Sequence, residues 1–265
     1  MNRIADKFAE AKAAGRGALV IYITAGDPNL EATYNIALAI AETGGDIIEL
    51  GIPYSDPLAD GPVIQAAGQR ALAAGTKVAG VLECAARIRA KSQVPLVVMT
   101  CYNPILQFGP ERFATQAKAS GIDGVLISDL PPEESGEWTQ IAAAHDLATV
   151  FLVAPTTPPE RVHLATDRTT GFVYAVARAG VTGARTELPE DLSDLIARIR
   201  ETTEKPVAVG FGVSDAEQVR AVCSIADGAI VGSALVKVIA EKGKCVCVID
   251  AVAKFVKSLA EGTKA

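Results

Sequence analysis

Eight apolar runs, each followed by a segment of helical periodicity, predict an α/β fold, a single (β/α)8 TIM barrel. Two further observations agree. The chain has 265 residues, a common length for such a barrel, so residues 1–265 are expected to form one catalytic domain. Glycine-bearing loops follow the last three runs, where barrels of this kind often build phosphate sites. A doubly wound open sheet is the alternative, but the regular beat of eight units favours closure.

Residues 2–14 have the pattern of an amphipathic helix, extra to the barrel, with Ile4, Phe8 and Ala11 on one face. Gly15-Arg16-Gly17 ends it. Ala18–Thr24 (ALVIYIT) is a near-continuous apolar run, as expected of a parallel strand covered on both faces. Ala25-Gly26 turns the chain, Asp27 is the expected cap and Pro28 the expected first helical residue of a helix reaching Thr43. Asp46–Gly51 is the second strand. The long interval from Gly51 to Pro95 holds a loop and two helices, about 63–73 and 78–90, one more than a barrel unit needs. Further strands are expected at Pro95–Thr100, Asp123–Ser128, Ala148–Val153, Gly171–Ala177, Pro206–Gly210 and Gly228–Val231.

Composition narrows the function. A net charge of −6 and a pI near 5.1 argue against nucleic acid or an anionic membrane as partner. No apolar run approaches the length of a membrane span, and the charged opening MNRIADKFAEAKAAGRG does not look like a leader. The five cysteines (Cys84, Cys101, Cys223, Cys245, Cys247) lie in apolar segments and are expected to be buried thiols of a reducing cytoplasm. Cys245-Val246-Cys247 has no further Cys or His nearby to complete a metal site, so no metal is expected.

In a barrel the active site lies at the C-terminal ends of the strands. Glu49, Asp60, Tyr22, Thr24, Thr100, Tyr102, Asn103, Asp129, Tyr174, Arg178, Thr182, Phe211 and Ser233 fall there. His145 precedes a strand, at the opposite end, His163 lies in a helical segment, and the lysines also miss the mouth. A lysine Schiff base or a histidine-bound zinc is therefore poorly supplied. Alternation puts Ile47, Glu49 and Gly51 on one face of the second strand. A carboxylate buried there has a raised pKa suited to proton transfer. Gly51, Pro53, Pro57, Gly61 and Pro62 then shape a loop carrying Asp56 and Asp60, so Glu49 and Asp60 form a candidate acid/base pair. The plain alternative is a Glu paired with an Arg and a loop Asp capping a helix. At the other side of the mouth, 179–183, 210–214 and 231–234 are the three glycine loops, and Gly232-Ser233 would supply a helix start for a dianion. Ser214-Asp215-Ala216-Glu217 also has the form of a capping box.

The segments TAGDPNLEAT, DIIELGIPYSDPLADGPVIQ, MTCYNPI, SDLPPEE, GFVYAVARAGVTG, VGFGVS and IVGSALVK together resemble the tryptophan synthase alpha chain over essentially the whole length. The second segment is highly specific. The resemblance implies a lyase that splits indole-3-glycerol phosphate into indole and glyceraldehyde 3-phosphate, in tryptophan biosynthesis, with no cofactor in this chain. It makes Glu49 the general acid/base and Asp60 the group facing the indole N–H. Tyr22, Thr100, Tyr102, Val153, Tyr174, Thr182 and Phe211 take substrate-binding positions, and Gly183, Gly212, Gly232 and Ser233 the phosphate cradle. Pro53, Tyr54 and Asp56 belong to a loop facing a partner, a pyridoxal-phosphate beta subunit that receives indole through a tunnel in an α2β2 heterotetramer. Ala177 and Tyr22 depart from the usual serine and phenylalanine, which bears on pocket shape rather than chemistry. A stand-alone lyase releasing free indole, or a subunit that mainly activates its partner, are the readings to separate from this one. A phosphosugar epimerase or isomerase barrel would share the phosphate loops but not ELGIPYSDPLADGP.

Overall fold

A computed structural model describes residues 3–57, 60–177, 191–210, 212–243, 245 and 247–264. In chain order the elements are α1 (Arg3–Ala13), β1 (Ala18–Thr24), α2 (Leu30–Thr43), β2 (Ile47–Gly51), α3 (Pro62–Ala73), α4 (Val78–Arg89), β3 (Leu96–Thr100), α5 (Tyr102–Phe108), α6 (Pro110–Ala119) and β4 (Gly124–Ile127). A 3-10 turn (Pro132–Glu134) leads into α7 (Gly136–Ala144), β5 (Ala148–Val150), β6 (Leu152–Val153), α8 (Pro159–Arg168), β7 (Val173–Val176), α9 (Leu192–Arg200), β8 (Val207–Gly210), α10 (Ala216–Cys223), β9 (Gly228–Val231), α11 (Ser233–Lys242) and α12 (Cys247–Glu261). The strands pair in parallel in the order β5-β4-β3-β2-β1-β9-β8-β7-β6. The two ends of that order are halves of the one expected strand, interrupted at Phe151, whose carbonyl accepts the Tyr174 N–H at 3.0 Å. The sheet thus wraps around as a (β/α)8 barrel, with the expected extra helix α1 at the start and two helices, α3 and α4, between β2 and β3.

Two cores follow from strand alternation. Leu19, Ile21 and Ile23 face outward and pack on Ile36 and Ile40 of α2. Val20, Ile47, Val97, Leu126, Val150, Phe172, Ala208 and Ile230 fill the barrel together with Ile4, Phe8 and Ala11 of α1. The helix face read from the sequence is therefore a plug for the N-terminal end. Gly124 and Gly228 make room for it: a Cβ at either would stand 2.9 Å from Ile4 Cδ1 or 3.2 Å from Phe8 Cε1.

At that same end, three aspartates recur in one role. Asp46 accepts the Leu19 N–H (2.9 Å) and a two-pronged bond from Arg16 (2.6 and 2.8 Å). Asp123 accepts the Leu96 N–H (2.9 Å), Arg89 (2.7 Å) and Arg3 (2.8 Å). Asp227 accepts the Val207 N–H (2.7 Å) and pairs with Arg200. Each carboxylate sits just before a strand and ties the start of the neighbouring strand to an arginine.

Several expectations are corrected. Asp27 does not cap α2; Asn29 does, accepting the Ala32 N–H at 2.8 Å, while Pro28 follows a cis bond and precedes the helix. Asp27 instead takes a bidentate pair from Arg70 of α3 (2.8 and 2.7 Å). The capping box of α10 starts one residue later, with Asp215 accepting the Gln218 N–H (2.9 Å) and Gln218 Oε1 accepting the Ser214 N–H (2.8 Å). Of the five cysteines only Cys84 is buried; Cys101 and Cys223 are half-buried, and Cys245 and Cys247 are exposed because they lie just before and at the start of α12, not in the core. Helix α5 was not expected; Pro104 falls within its first turn, where a missing N–H costs nothing. Among the described residues no helix is long and apolar enough to cross a membrane.

Candidate active site

The interior face of β2 reaches the mouth through Ile47, Glu49 and Gly51, and register sets Glu49 between Tyr22 of β1 and Val97 of β3. Glu49 is completely buried, and neither carboxylate oxygen has a hydrogen-bond partner. A buried polar group is normally paired, so an orphan carboxyl is a reason to look for a ligand. Burial alone pushes its pKa from 4.5 up to about 8, so near neutral pH it is mostly a neutral acid. The ordinary alternative, a Glu neutralised by an Arg, is absent among the described residues.

Asp60 precedes α3. Its N–H donates to Pro57 O (3.1 Å) and its carbonyl accepts from Gln65 Nε2 (2.9 Å), which fixes the loop and leaves the carboxylate facing the cleft. Burial raises its pKa as well. It does not act as a side-chain cap, since Gly61 occupies that position.

Two phenol rings complete this set. Tyr22 and Tyr174 sit at the top of the interior; burial raises both hydroxyl pKa values, and the charges of Asp60 and Glu49 add to the effect. The four side chains therefore share one electrostatic neighbourhood. Glycine makes it possible: a Cβ at Gly51 would lie 2.2 Å from Tyr22 Oη, and one at Gly210 2.5 Å from Tyr174 Oη. Gly51→Ala is expected to displace the Tyr22 ring, lowering stability by about 1–3 kcal/mol as overpacking does. It is also expected to reduce kcat/KM. Denaturant unfolding and steady-state kinetics of that variant check both effects.

A cleft of about 420 Å³, open solvent included, is lined by Tyr22, Thr24, Pro53, Tyr54, Asp60, Ile64, Met99 and Thr100, and neither Glu49 nor Tyr174 lines it directly. Thr100 Oγ1 is also buried without a partner, so a second side chain at the mouth has an unused polar atom. Of the partner-loop candidates, Pro53 and Tyr54 line the cleft, Tyr54 Oη accepting from Asn103 Nδ2 at 3.2 Å. Asp56 is exposed and accepts from Ser55 Oγ at 2.6 Å. Tyr102 opens α5, its N–H held by Asp129 at 2.7 Å, and does not line the cleft. Val153 is buried with the outer, helix-facing core, while Leu152 faces the barrel interior. Ile64, Met99, Cys101 and Ser128 line the cleft without having been singled out from sequence. Met99 was within reach, two residues beyond interior Val97.

On the other side of the mouth, Gly212 adopts a left-handed backbone (φ 80°) that favours glycine. Ser214 and Asp215 spend their groups on the start of α10, as described above. Helix α11 differs: Gly232 precedes it with no side-chain cap, and buried Ser233 is its first residue. Its first N–H groups are thus open to an anion. Thr182, Gly183, Arg178 and Phe211 lie outside the described residues.

Comparisons agree with this architecture. A family model described as tryptophan synthase alpha chain matches residues 8–264. The chain is 48% identical to the tryptophan synthase alpha chain of Geobacter sulfurreducens, over 98% of each chain. With that of Laribacter hongkongensis it shares 49% identity over 92% of each. Among solved structures, Mycobacterium tuberculosis tryptophan synthase superposes with a TM-score of 0.92 at 37% identity, covering 100% of this chain and 99% of that one. A chain of the tryptophan synthase complex from Pyrococcus furiosus superposes with 0.85 at 44% identity, covering 92% and 98%.

Proposed function

The chain belongs to the tryptophan synthase alpha chain family, lyases of indole-3-glycerol phosphate in tryptophan biosynthesis, and from that premise we propose that Glu49 and Asp60 carry the reaction here. The observation that supports this most is a carboxyl group wholly buried and unpaired at the top of the barrel interior, held protonated by burial.

The chemistry needs one proton delivered and one removed. Neutral Glu49 donates its proton to indole C3, leaving the ring nitrogen cationic, and the Asp60 carboxylate beside the N–H stabilises that cation. The bond from C3 to the glycerol carbon then breaks. Its electron pair returns to the ring, the adjacent hydroxyl oxygen becomes the aldehyde carbonyl, and the hydroxyl proton passes to the Glu49 carboxylate. Indole and glyceraldehyde 3-phosphate leave with Glu49 protonated again. The indole ring is itself the electron sink, so the step calls on no lysine or metal. Tyr22 and Thr100 would border the indole, with Tyr174 beside Glu49, and Gly212, Gly232 and Ser233 would receive the phosphate with Gly183. Asp60→Asn keeps the size and removes the charge, and is expected to lower kcat by about 10²–10³, in line with other groups aimed at developing charge. An unchanged kcat would remove Asp60 from the mechanism.

The reading extends to a partner. Pro53, Tyr54 and Asp56 would face a beta subunit holding pyridoxal phosphate, in an α2β2 assembly that passes indole between sites. The rate of indole release from indole-3-glycerol phosphate, without and with a beta subunit, tests the whole proposal. A slow rate raised tenfold or more fits a channelling subunit; a fast rate indifferent to the partner means a stand-alone lyase. No indole in either case would refute the assignment.

A further inference from the structure

Helix α3 carries a glycine that neither its backbone nor its packing requires. Gly68 is buried in the helix interior, on the same face as Ile64 before it and Ala71 after it. Glycine in a helix interior is less stable than alanine, so a steric reason for it is normally expected. Gly51 and Gly210 have such a reason, since Tyr22 and Tyr174 fill the space beside them. Gly68 has none. Among the described residues, no atom lies within 4 Å of where its Cβ would stand. The packing of α3 with Tyr22 and Val236 is made by Ile64 and Ala67 instead.

The open space belongs to the cleft, which Gly68 lines together with Ile64, Tyr22 and Thr100. The buried Thr100 hydroxyl has no partner, so this cleft combines unfilled room with an unused polar atom. Both are marks of a wall shaped for a ligand. Resting on the lyase reading above, we propose that Gly68 is a specificity-determining residue. Its missing side chain leaves a recess that admits a small apolar substituent on the benzene ring of the indole. The chain thus cleaves ring-methylated or ring-chlorinated indole-3-glycerol phosphates as well as the unsubstituted one.

Size and polarity both follow from the surroundings. Ordinary van der Waals contact falls at 3.4–4 Å, so a methyl-sized group enters the recess without moving a neighbour. Ile64, one turn away on the same face, makes that wall apolar, which suits methyl or chlorine better than hydroxyl or amino groups. A side chain at position 68 would take up the room that the substituent needs. Gly68 has no group that gives or takes a proton, so it acts on which ring fits rather than on the bond-breaking step.

The test measures kcat/KM of the full chain for indole-3-glycerol phosphate and for each of its derivatives methylated once on the benzene ring. Gly68→Ala and Gly68→Val are measured alongside. One methylene in an apolar pocket changes discrimination by about 10–200-fold. The unmodified chain is expected to cleave at least one derivative within about tenfold of the unsubstituted substrate. Gly68→Ala is expected to lower the ratio of that derivative to the unsubstituted substrate by about tenfold or more, and Gly68→Val to lower it further. Alanine favours the helix, so Gly68→Ala is also expected to unfold at equal or higher denaturant. Ratios unchanged in both variants would overturn the proposal. So would an unmodified chain that cleaves the unsubstituted substrate and rejects every derivative by more than that tenfold margin, a result that leaves the lyase reading standing. Failure to cleave the unsubstituted substrate would instead sink the lyase reading, and this proposal with it.

Discussion

Glu49→Gln is expected to lower indole release by at least about 10²–10⁴, the usual loss when a general acid/base is removed, or roughly 3–5 kcal/mol of barrier. The amide keeps the shape of the side chain, so the interior packing around Tyr22, Tyr174 and Val97 is retained, but it can neither deliver nor accept the proton. The same substitution carries an opposite effect on stability. Glu49 has a native pKa of about 8 against an ordinary 4.5. Below pH 4.5 both folded and unfolded chains hold the proton and the group is neutral in the balance. As pH rises from 4.5 to 8 the unfolded chain gives up its proton while the folded one keeps it, so the native state loses stability across that window. Above 8 the penalty is complete. Glutamine has no such slope, so the variant is expected to unfold at equal or higher denaturant, with an advantage that grows between pH 5 and 8 and reaches more than about 1 kcal/mol. Normal turnover in a folded variant would remove Glu49 from the mechanism. A variant less stable than the parent at pH 8 would mean that Glu49 has a native partner after all.

The second large effect lies at the opposite end of the barrel. Asp123 is 8% exposed and holds Arg89, Arg3 and the Leu96 N–H at once. Asp123→Ala leaves the mostly buried Arg89 guanidinium, still bonded to the Gly121 and Ser92 carbonyls, without its counter-charge, and leaves a strand N–H without its acceptor. Breaking a buried pair in this way costs about 3–5 kcal/mol. Urea unfolding is expected to show that loss, while the exposed Asp56→Ala shows almost none. Because the damage lies at the N-terminal end of the strands, opposite the mouth, kcat of the folded fraction should be little changed. A loss below 1 kcal/mol would mean that the three aspartates are not the fasteners their hydrogen bonds suggest.

What could be read from the sequence was what local rules determine. Two-residue alternation set Ile47, Glu49 and Gly51 on one face, and the burial of Glu49 followed from its apolar neighbours. The apolar stripe of α1 was legible, but not its service as a plug, since that depends on small residues at Gly124 and Gly228, far along the chain. The roles of Asp46, Asp123 and Asp227 were hidden for the same reason: their partners Arg16, Arg89 and Arg200 are brought near only by closure of the sheet. At Asp27 a local rule gave the wrong answer. Its side chain can cap, but Asn29 sits at the helix start and Arg70 of α3 claims Asp27. Cys245 and Cys247 were misjudged because apolar neighbours in sequence were taken for apolar neighbours in space. Gly51 and Gly210 show the same limit at the site itself, where each is fitted to a tyrosine on the adjoining strand.

The proposed mechanism needs a buried Glu49 that is uncharged at neutral pH and ready to give up its proton. The most direct measurement is the pH titration of its side-chain carboxyl by carbon-13 NMR on glutamate-labelled protein, with the resonance assigned by its disappearance in Glu49→Gln. A midpoint near pH 8 is the expected result. A midpoint between 4 and 5, the range of a solvated glutamate, would contradict the account, because the group would already be charged when the substrate arrives.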